Sequence, residues 1–239
     1  MRKAALPAQL STILLTAMTA AAQGTFQNLD FEQATPVSAN DPNQPFAVTA
    51  ARALPDWTLY CGAIQQTEVL QNVVTLGSAA GDIFGPSNPS PSALPTGAPG
   101  IIDGNYTVAL QAGYSESVDA SVSTSLQQVG TLPVGDDSLI LRAWNNGNTS
   151  FSPSFAGYNL PLVNLGATPN YMLYGADISM YAGRTGVLAF TANAQSGPSF
   201  VEIDDITFSP NAVPEPNTLA LIFTGGAALA LGRFRRKRR

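Results

Sequence analysis

The chain contains no histidine. That absence excludes Ser-His-Asp hydrolysis, Cys-His proteolysis, histidine-ligated zinc and general catalysis by imidazole. A single cysteine, Cys61, permits neither a disulfide within the chain nor a thiolate cluster for a metal. It follows an expected core strand, Trp57–Tyr60, and reads as a buried, inert thiol. Charged residues make up only 11% of the sequence, against about 25% in an ordinary globular protein. Lysine occurs only at positions 3 and 237, and between Gln23 and Pro216 the bases are Arg52, Arg142 and Arg184. All 16 acids lie in that stretch, so three bases leave it a net charge of −13. Such a body repels phosphate backbones, which excludes nucleic acid as its partner. A long apolar stripe of period 3.6 is also missing, and with it the case for a helical bundle.

What the central region has instead is glycine, proline and short alternating runs. Leu139 and Leu141 face one way while Ile140, Arg142 and Trp144 face the other. Tyr106, Val108 and Leu110 alternate with Thr107, Ala109 and Gln111, and Val187, Ala189 and Thr191 alternate with Leu188 and Phe190. Turn residues bound each run, as at Asp103-Gly104, Asn145-Asn146-Gly147 and Ala182-Gly183. This pattern predicts an all-β, antiparallel, jelly-roll-like sandwich over residues 23–210. In the strand Phe200–Phe208, Ile203 and Ile206 are three apart, so a bulge at Asp204-Asp205 is expected to return both to the core. Asp177 and Ser179 are expected to cap a turn before Tyr181, with Gly183 reversing the chain. Gly85–Gly100, with five prolines and three glycines in sixteen residues, is expected to form an exposed loop. A second polar loop spans Ala34–Pro45, and both loops read either as a binding lip or as tolerated surface.

The two ends carry a different message. Met1-Arg2-Lys3 precedes an uncharged stretch with an apolar centre, closed by Ala20-Ala21-Ala22. This is the layout of a signal peptide over 1–22, a helical leader cut after Ala22 by signal peptidase, with Ala20 and Ala22 as the small residues of the site. At the other end, Pro214-Glu215-Pro216 opens on sixteen uncharged residues, 217–232. As a helix these span about 24 Å, short of the roughly 30 Å hydrocarbon core, a gap that snorkelling bases narrow. Those bases are Arg233, Arg235, Arg236, Lys237, Arg238 and Arg239. A basic tail of this kind stays in the cytoplasm, so a membrane helix at 217–232 leaves the acidic body outside.

Tripeptide, short apolar span and arginine-rich terminus, in that order, resemble the PEP-CTERM sorting signal over residues 213–239, with a Pro-rich tether at 211–216. The resemblance implies processing by an exosortase, transient anchoring in the inner membrane, and final residence at the surface or in an extracellular polysaccharide matrix. Two prolines hold the chain extended outside the bilayer, a form that a protease-like site can accept. The body resembles galactose-binding-like and carbohydrate-binding-module sandwiches through Asn28-Leu-Asp30-Phe31-Glu32, Pro55-Asp56-Trp57, Asp103-Gly104-Asn105-Tyr106 and Glu202-Ile-Asp204-Asp205-Ile206. In such sandwiches the first and last of these segments can lie together and share a structural calcium, which makes Glu32 and Asp205 candidate ligands. The alternative is a pair of solvated acids.

Aromatic faces stack on sugar C–H groups, so Trp57, Trp144, Tyr114 and Tyr158 are candidate platforms. Trp144 followed by Asn145 and Asn146 combines a platform with amides and is the candidate glycan contact, unless it packs on an edge strand; Trp57 reads as core. Catalysis needs a carboxylate pair, yet the neighbouring acids Asp136-Asp137 and Asp204-Asp205 diverge on an extended chain. No catalytic residue is assigned and no enzyme is expected. The role expected is structural or adhesive in exopolysaccharide, with a lectin-like module as the alternative and a polysaccharide hydrolase as a weaker one.

Overall fold

The computed structural model describes residues 24–75, 77–86, 94–145, 150–194 and 199–213. The expected leader at 1–22, the Pro214-Glu215-Pro216 tripeptide, the apolar span 217–232, the basic tail and Asn146 all lie outside these residues. In chain order the strands are β1 (Ala47–Thr49), β2 (Thr58–Cys61), β3 (Ile64–Gln65), β4 (Glu68–Gln71), β5 (Ala80–Phe84), β6 (Thr107–Ser115), β7 (Ala120–Val122) and β8 (Thr124–Thr131). They continue as β9 (Ser138–Asn145), β10 (Phe151–Phe155), β11 (Tyr158–Asn159), β12 (Val163–Ala167), β13 (Met172–Asp177), β14 (Thr185–Ala192) and β15 (Ser199–Ser209). Among the described residues helix is confined to Ala50–Ala53 and a 3₁₀ turn at Ser179–Tyr181. No helix among the described residues is long and apolar enough to cross a membrane.

Two sheets stack into the expected all-β sandwich. The larger runs β1-β4-β5-β6-β15-β9-β13-β12 with β7 attached to β6, and the smaller runs β11-β10-β14-β8-β2-β3. Among the described strands the pairing is antiparallel except between β4 and β5. Between the sheets lies a core that includes Val108, Leu110, Leu139, Leu141, Leu188 and Phe190, the inward members of the alternating runs. Trp57 sits deep in it, its ring against Phe31 and Phe190 and its Nε1–H donated to Asn28 O at 2.9 Å. Cys61 is buried, with Sγ 3.8 Å from Thr124 Oγ1.

The bulge forms where the sequence demands it. Register between β15 and β9 shifts between Asp204 and Thr207, Asp205 takes φ +46°, and both Ile203 and Ile206 are buried. Ser179 N–H donates to Asp177 Oδ1 at 2.9 Å, and Gly183 takes φ +74° before β14. One expectation needs correction. Thr96 and Gly97 are exposed, but the rest of the segment 94–102, where the proline-rich region ends, lies on the outer face of the larger sheet. Leu94, Ala98 and Ile101 cover a second apolar cluster of Val74, Phe84, Ala109 and Phe200. Composition excluded regular structure there; it did not exclude burial.

Candidate functional site

Three places in the body gather chemically capable side chains. The first is the outer face of the larger sheet. Cross-strand register aligns Asp82 of β5, Ala109 of β6, Glu202 of β15 and Trp144 of β9 in one row, with Thr107 and Asp204 adjacent. The segment above is tied to these groups. Gly100 N–H donates to Glu202 Oε1 at 3.0 Å, Asp103 N–H to Asp204 Oδ2 at 3.2 Å, and Ile102 N–H to Thr107 Oγ1 at 2.9 Å. Thr107 in turn donates to Asp204 Oδ2 at 2.6 Å. Burial raises the carboxyls of Asp82 and Glu202 to about 8 and that of Asp204 to about 7. Asp82 Oδ1, Glu202 Oε2, Gln111 Nε2 and Ser199 Oγ are buried without a hydrogen-bond partner among the described residues. Protonated acids that accept backbone N–H groups anchor a covering segment.

Trp144, the sequence-based choice of glycan platform, belongs to this face. Its ring packs edge-on against Phe200 at 6.1 Å, partly buried beneath the covering segment. It is therefore a packing residue along much of its surface. Asn145 ends β9 opposite Val201.

The second place joins the N-terminal segment to the strand ends. Glu32 accepts the backbone N–H of Asn105 at 2.7 Å and of Tyr106 at 3.0 Å, and Asn105 Nδ2 at 2.9 Å. Gly104, at φ +58°, makes this approach possible, since a Cβ there would stand 2.3 Å from Glu32 Oε1. Asp205 pairs with Arg142 at 3.0 Å, and the same guanidinium holds Asp103 at 2.9 Å and lies 5.1 Å from the Tyr171 ring centroid. Glu32 and Asp205 are thus both tied to the Asp103–Tyr106 turn, Glu32 through the N–H groups it accepts and Asp205 through the Arg142 guanidinium it shares with Asp103. Among the described residues no group of three or more acids or cysteines could hold a metal ion.

The third place is a cleft of about 560 Å³ lined by residues of β2, β4, β5 and the end of β6. Tyr114, 48% exposed, lines it together with Glu116, Glu68, Gln66, Asn43 and Gln44. Its backbone and its phenol are both held. Tyr114 N–H donates to Gly77 O at 2.7 Å, Ala79 N–H donates to Tyr114 O at 2.8 Å, and the phenol donates to Asp119. Gly113 must lack a side chain, because a Cβ there would stand 2.2 Å from Gly77 O. Tyr114 was legible as an aromatic candidate; Glu68, Gln66, Asn43 and Gln44 were not, since they come from separate elements. The one usable signal was the Ala34–Pro45 loop, marked as a possible lip, which supplies Asn43 and Gln44. Tyr158, the remaining candidate, stacks on Tyr181 at 6.1 Å on the smaller sheet.

Residues 212–239 carry the PEP-CTERM protein-sorting motif. No curated protein matches the chain. Among solved structures the chain is similar to TmCBM61, determined in complex with β-1,4-galactotriose, at 14% identity and a TM-score of 0.38, covering 77% of this chain and 97% of that one. It is also similar to the enzymatically active domain of tailspike protein 4 from bacteriophage CBA120, at 12% identity and a TM-score of 0.37, covering 78% of this chain and 21% of that one.

Proposed function

We propose that the protein is a non-catalytic surface or matrix component that an exosortase sorts through its C-terminal motif, and whose sandwich grips extracellular polysaccharide in the Tyr114 cleft. In this reading residues 1–22 direct export, and the span 217–232 parks the chain in the inner membrane until its tail is processed. The sandwich is read as a jelly roll. The sorting motif at 212–239 supports the destination. The cleft supports the grip, and its aromatic wall is the observation that carries it. An exposed ring offers an apolar platform to the C–H face of a pyranose. Glu68 and Glu116 can accept sugar hydroxyls, and Gln66, Asn43 and Gln44 can donate or accept. The absence of catalysis is part of the proposal: Asp82, Glu202 and Asp204 carry raised pKa values but are sealed beneath the covering segment.

Sedimentation with insoluble cell-derived polysaccharide tests the reading. Tyr114→Ala is expected to lose about tenfold in affinity, near the value of one buried aromatic contact. Trp144→Ala is expected to retain affinity so long as it stays folded. Binding unchanged in Tyr114→Ala removes the cleft from the proposal, and measurable turnover of the polysaccharide removes the non-catalytic role.

A further inference from the structure

The cleft beside Tyr114 carries charge of one sign. Glu68 of β4 and Glu116, just past the end of β6, line it, and none of Arg52, Arg142 and Arg184 does. Arg142, which makes the ion pairs among the described residues, already holds Asp103 and Asp205. A third acid, Asp119, accepts the Tyr114 phenol. That hydrogen bond, with desolvation and the charge of Glu116, holds the phenol above its ordinary pKa, so the field of Glu116 reaches the ring. Glu68 is half-buried, while Tyr114 and Glu116 are exposed. β4 and β6 lie on either side of β5. Two strand spacings, about 10 Å, therefore separate the strand that carries Glu68 from the strand that carries the ring. Consecutive sugar units can cover that span.

We propose that the Tyr114 cleft selects amino-sugar polysaccharides whose amines are free and charged, with Glu68 and Glu116 as the specificity-determining residues. The inference rests on the glycan-binding reading of this cleft. A carboxylate only accepts hydrogen bonds and an ammonium only donates them. Pairing the two gives a charge-assisted bond, stronger than one from a neutral hydroxyl. The tyrosine face serves such a ligand twice, since it stacks on pyranose C–H groups and attracts a cation through its quadrupole. A neutral sugar in the cleft takes water from two carboxylates and returns no charge. A uronic acid adds another negative charge where no base lines the wall. The surroundings do not offset this, because the stretch from Gln23 to Pro216 has no lysine and a net charge of −13.

The test titrates the full-length protein with three trimers, of glucosamine, N-acetylglucosamine and galacturonic acid, at low salt and pH 6, where the glucosamine amine is charged. The glucosamine trimer is expected to bind about tenfold more tightly than its N-acetylated counterpart, the factor that two partly exposed ion pairs give together. The galacturonic acid trimer is expected to bind least. In a Glu68→Gln, Glu116→Gln double variant the preference for the free amine is expected to vanish. Asp177→Asn takes a negative charge from β13, four strands from β5 in the larger sheet, keeps an acceptor for the Ser179 N–H, and is expected to leave the preference intact. Failure of the glucosamine trimer to bind, equal affinity for the first two trimers, or a preference that survives in the double variant overturns the amino-sugar class. The glycan reading of the cleft outlives any of these if Tyr114→Ala still lowers sedimentation with polysaccharide. A Tyr114→Ala protein that keeps both that sedimentation and its glucosamine affinity overturns the two together. The wild-type comparison needs no variant, so it decides the matter however the double variant folds.

Discussion

Trp57 and Glu32 show how single residues hold distant parts of this chain together. Trp57 is 5% exposed, and its indole both fills the core and satisfies the carbonyl of Asn28. Trp57→Ala is expected to cost about 3–5 kcal/mol, read as a lower urea midpoint, because a cavity is created and the Asn28 carbonyl, which also accepts the Phe31 N–H at 3.4 Å, loses its shorter hydrogen bond. Glu32 acts through hydrogen bonds rather than burial, with its carboxylate organising the Gly104–Tyr106 turn. Glu32→Ala is expected to cost about 1–3 kcal/mol. Calcium and chelator should both leave the wild-type melting temperature where it is. A calcium-dependent rise, lost in Glu32→Ala, would show instead that the turn opens to admit the ion. The sequence revealed the importance of Glu32 but not its partners. A carboxylate beside an Asp-Gly turn reads equally well as a metal ligand or as an acceptor of N–H groups, and only the approach permitted at Gly104 distinguishes them.

At the scale of elements, the covering segment and the strands beneath it make stability depend on pH. Asp82 and Glu202 have ordinary values of 3.8 and 4.5 and are raised to about 8 by burial, with Asp82 adding its own charge to the field at Glu202. Below about pH 4 both carboxyls are protonated whether the chain is folded or not. From there to about 8 the unfolded chain has given up these protons and the folded chain keeps them. Stability therefore falls as pH rises through that window and levels off above it. Denaturant melts from pH 4 to 9 should show this decline. Glu202→Gln, which can still accept the Gly100 N–H, should flatten the slope and be the more stable protein at pH 8. An unchanged slope in that variant would show that water reaches Glu202. Little of this was legible. Thr107, Ala109 and Gln111 alternate with core residues and look like a solvent face, because small and polar side chains also suit a face covered by irregular chain. The bulge in β15 was legible, since two isoleucines three apart cannot both reach the core along a regular strand.

The described body closes on its own ends. Phe26 packs on Phe208 at 5.6 Å and Ile206 N–H donates to Leu29 O at 3.0 Å, so the N-terminal segment is completed by the last strand. That strand, β15, is also central, lying between β6 and β9 in the larger sheet. Sequence periodicity identified both segments as apolar but carried no information on which strands would be neighbours, because strand order is set by pairing across long separations. A chain truncated after residue 198 leaves β6 and β9 with unpaired inner edges and removes Val201, Ile203, Ile206 and Phe208 from the core. It is expected not to fold, whereas a chain ending at Val213 should melt as cooperatively as the body of the full protein. Resistance to thermolysin is the suitable measurement, since Arg52, Arg142 and Arg184 give trypsin few sites in the body. In the reading proposed above the chain crosses a membrane before it folds, and this arrangement suits that order. Non-local pairing makes folding slow, and the segment that completes the sheet is the last part of the body to emerge, just ahead of the sorting motif. A protease-resistant fragment from the chain ending at residue 198 would mean that the smaller sheet and its half of the core can stand alone, and that β15 docks onto a body already formed.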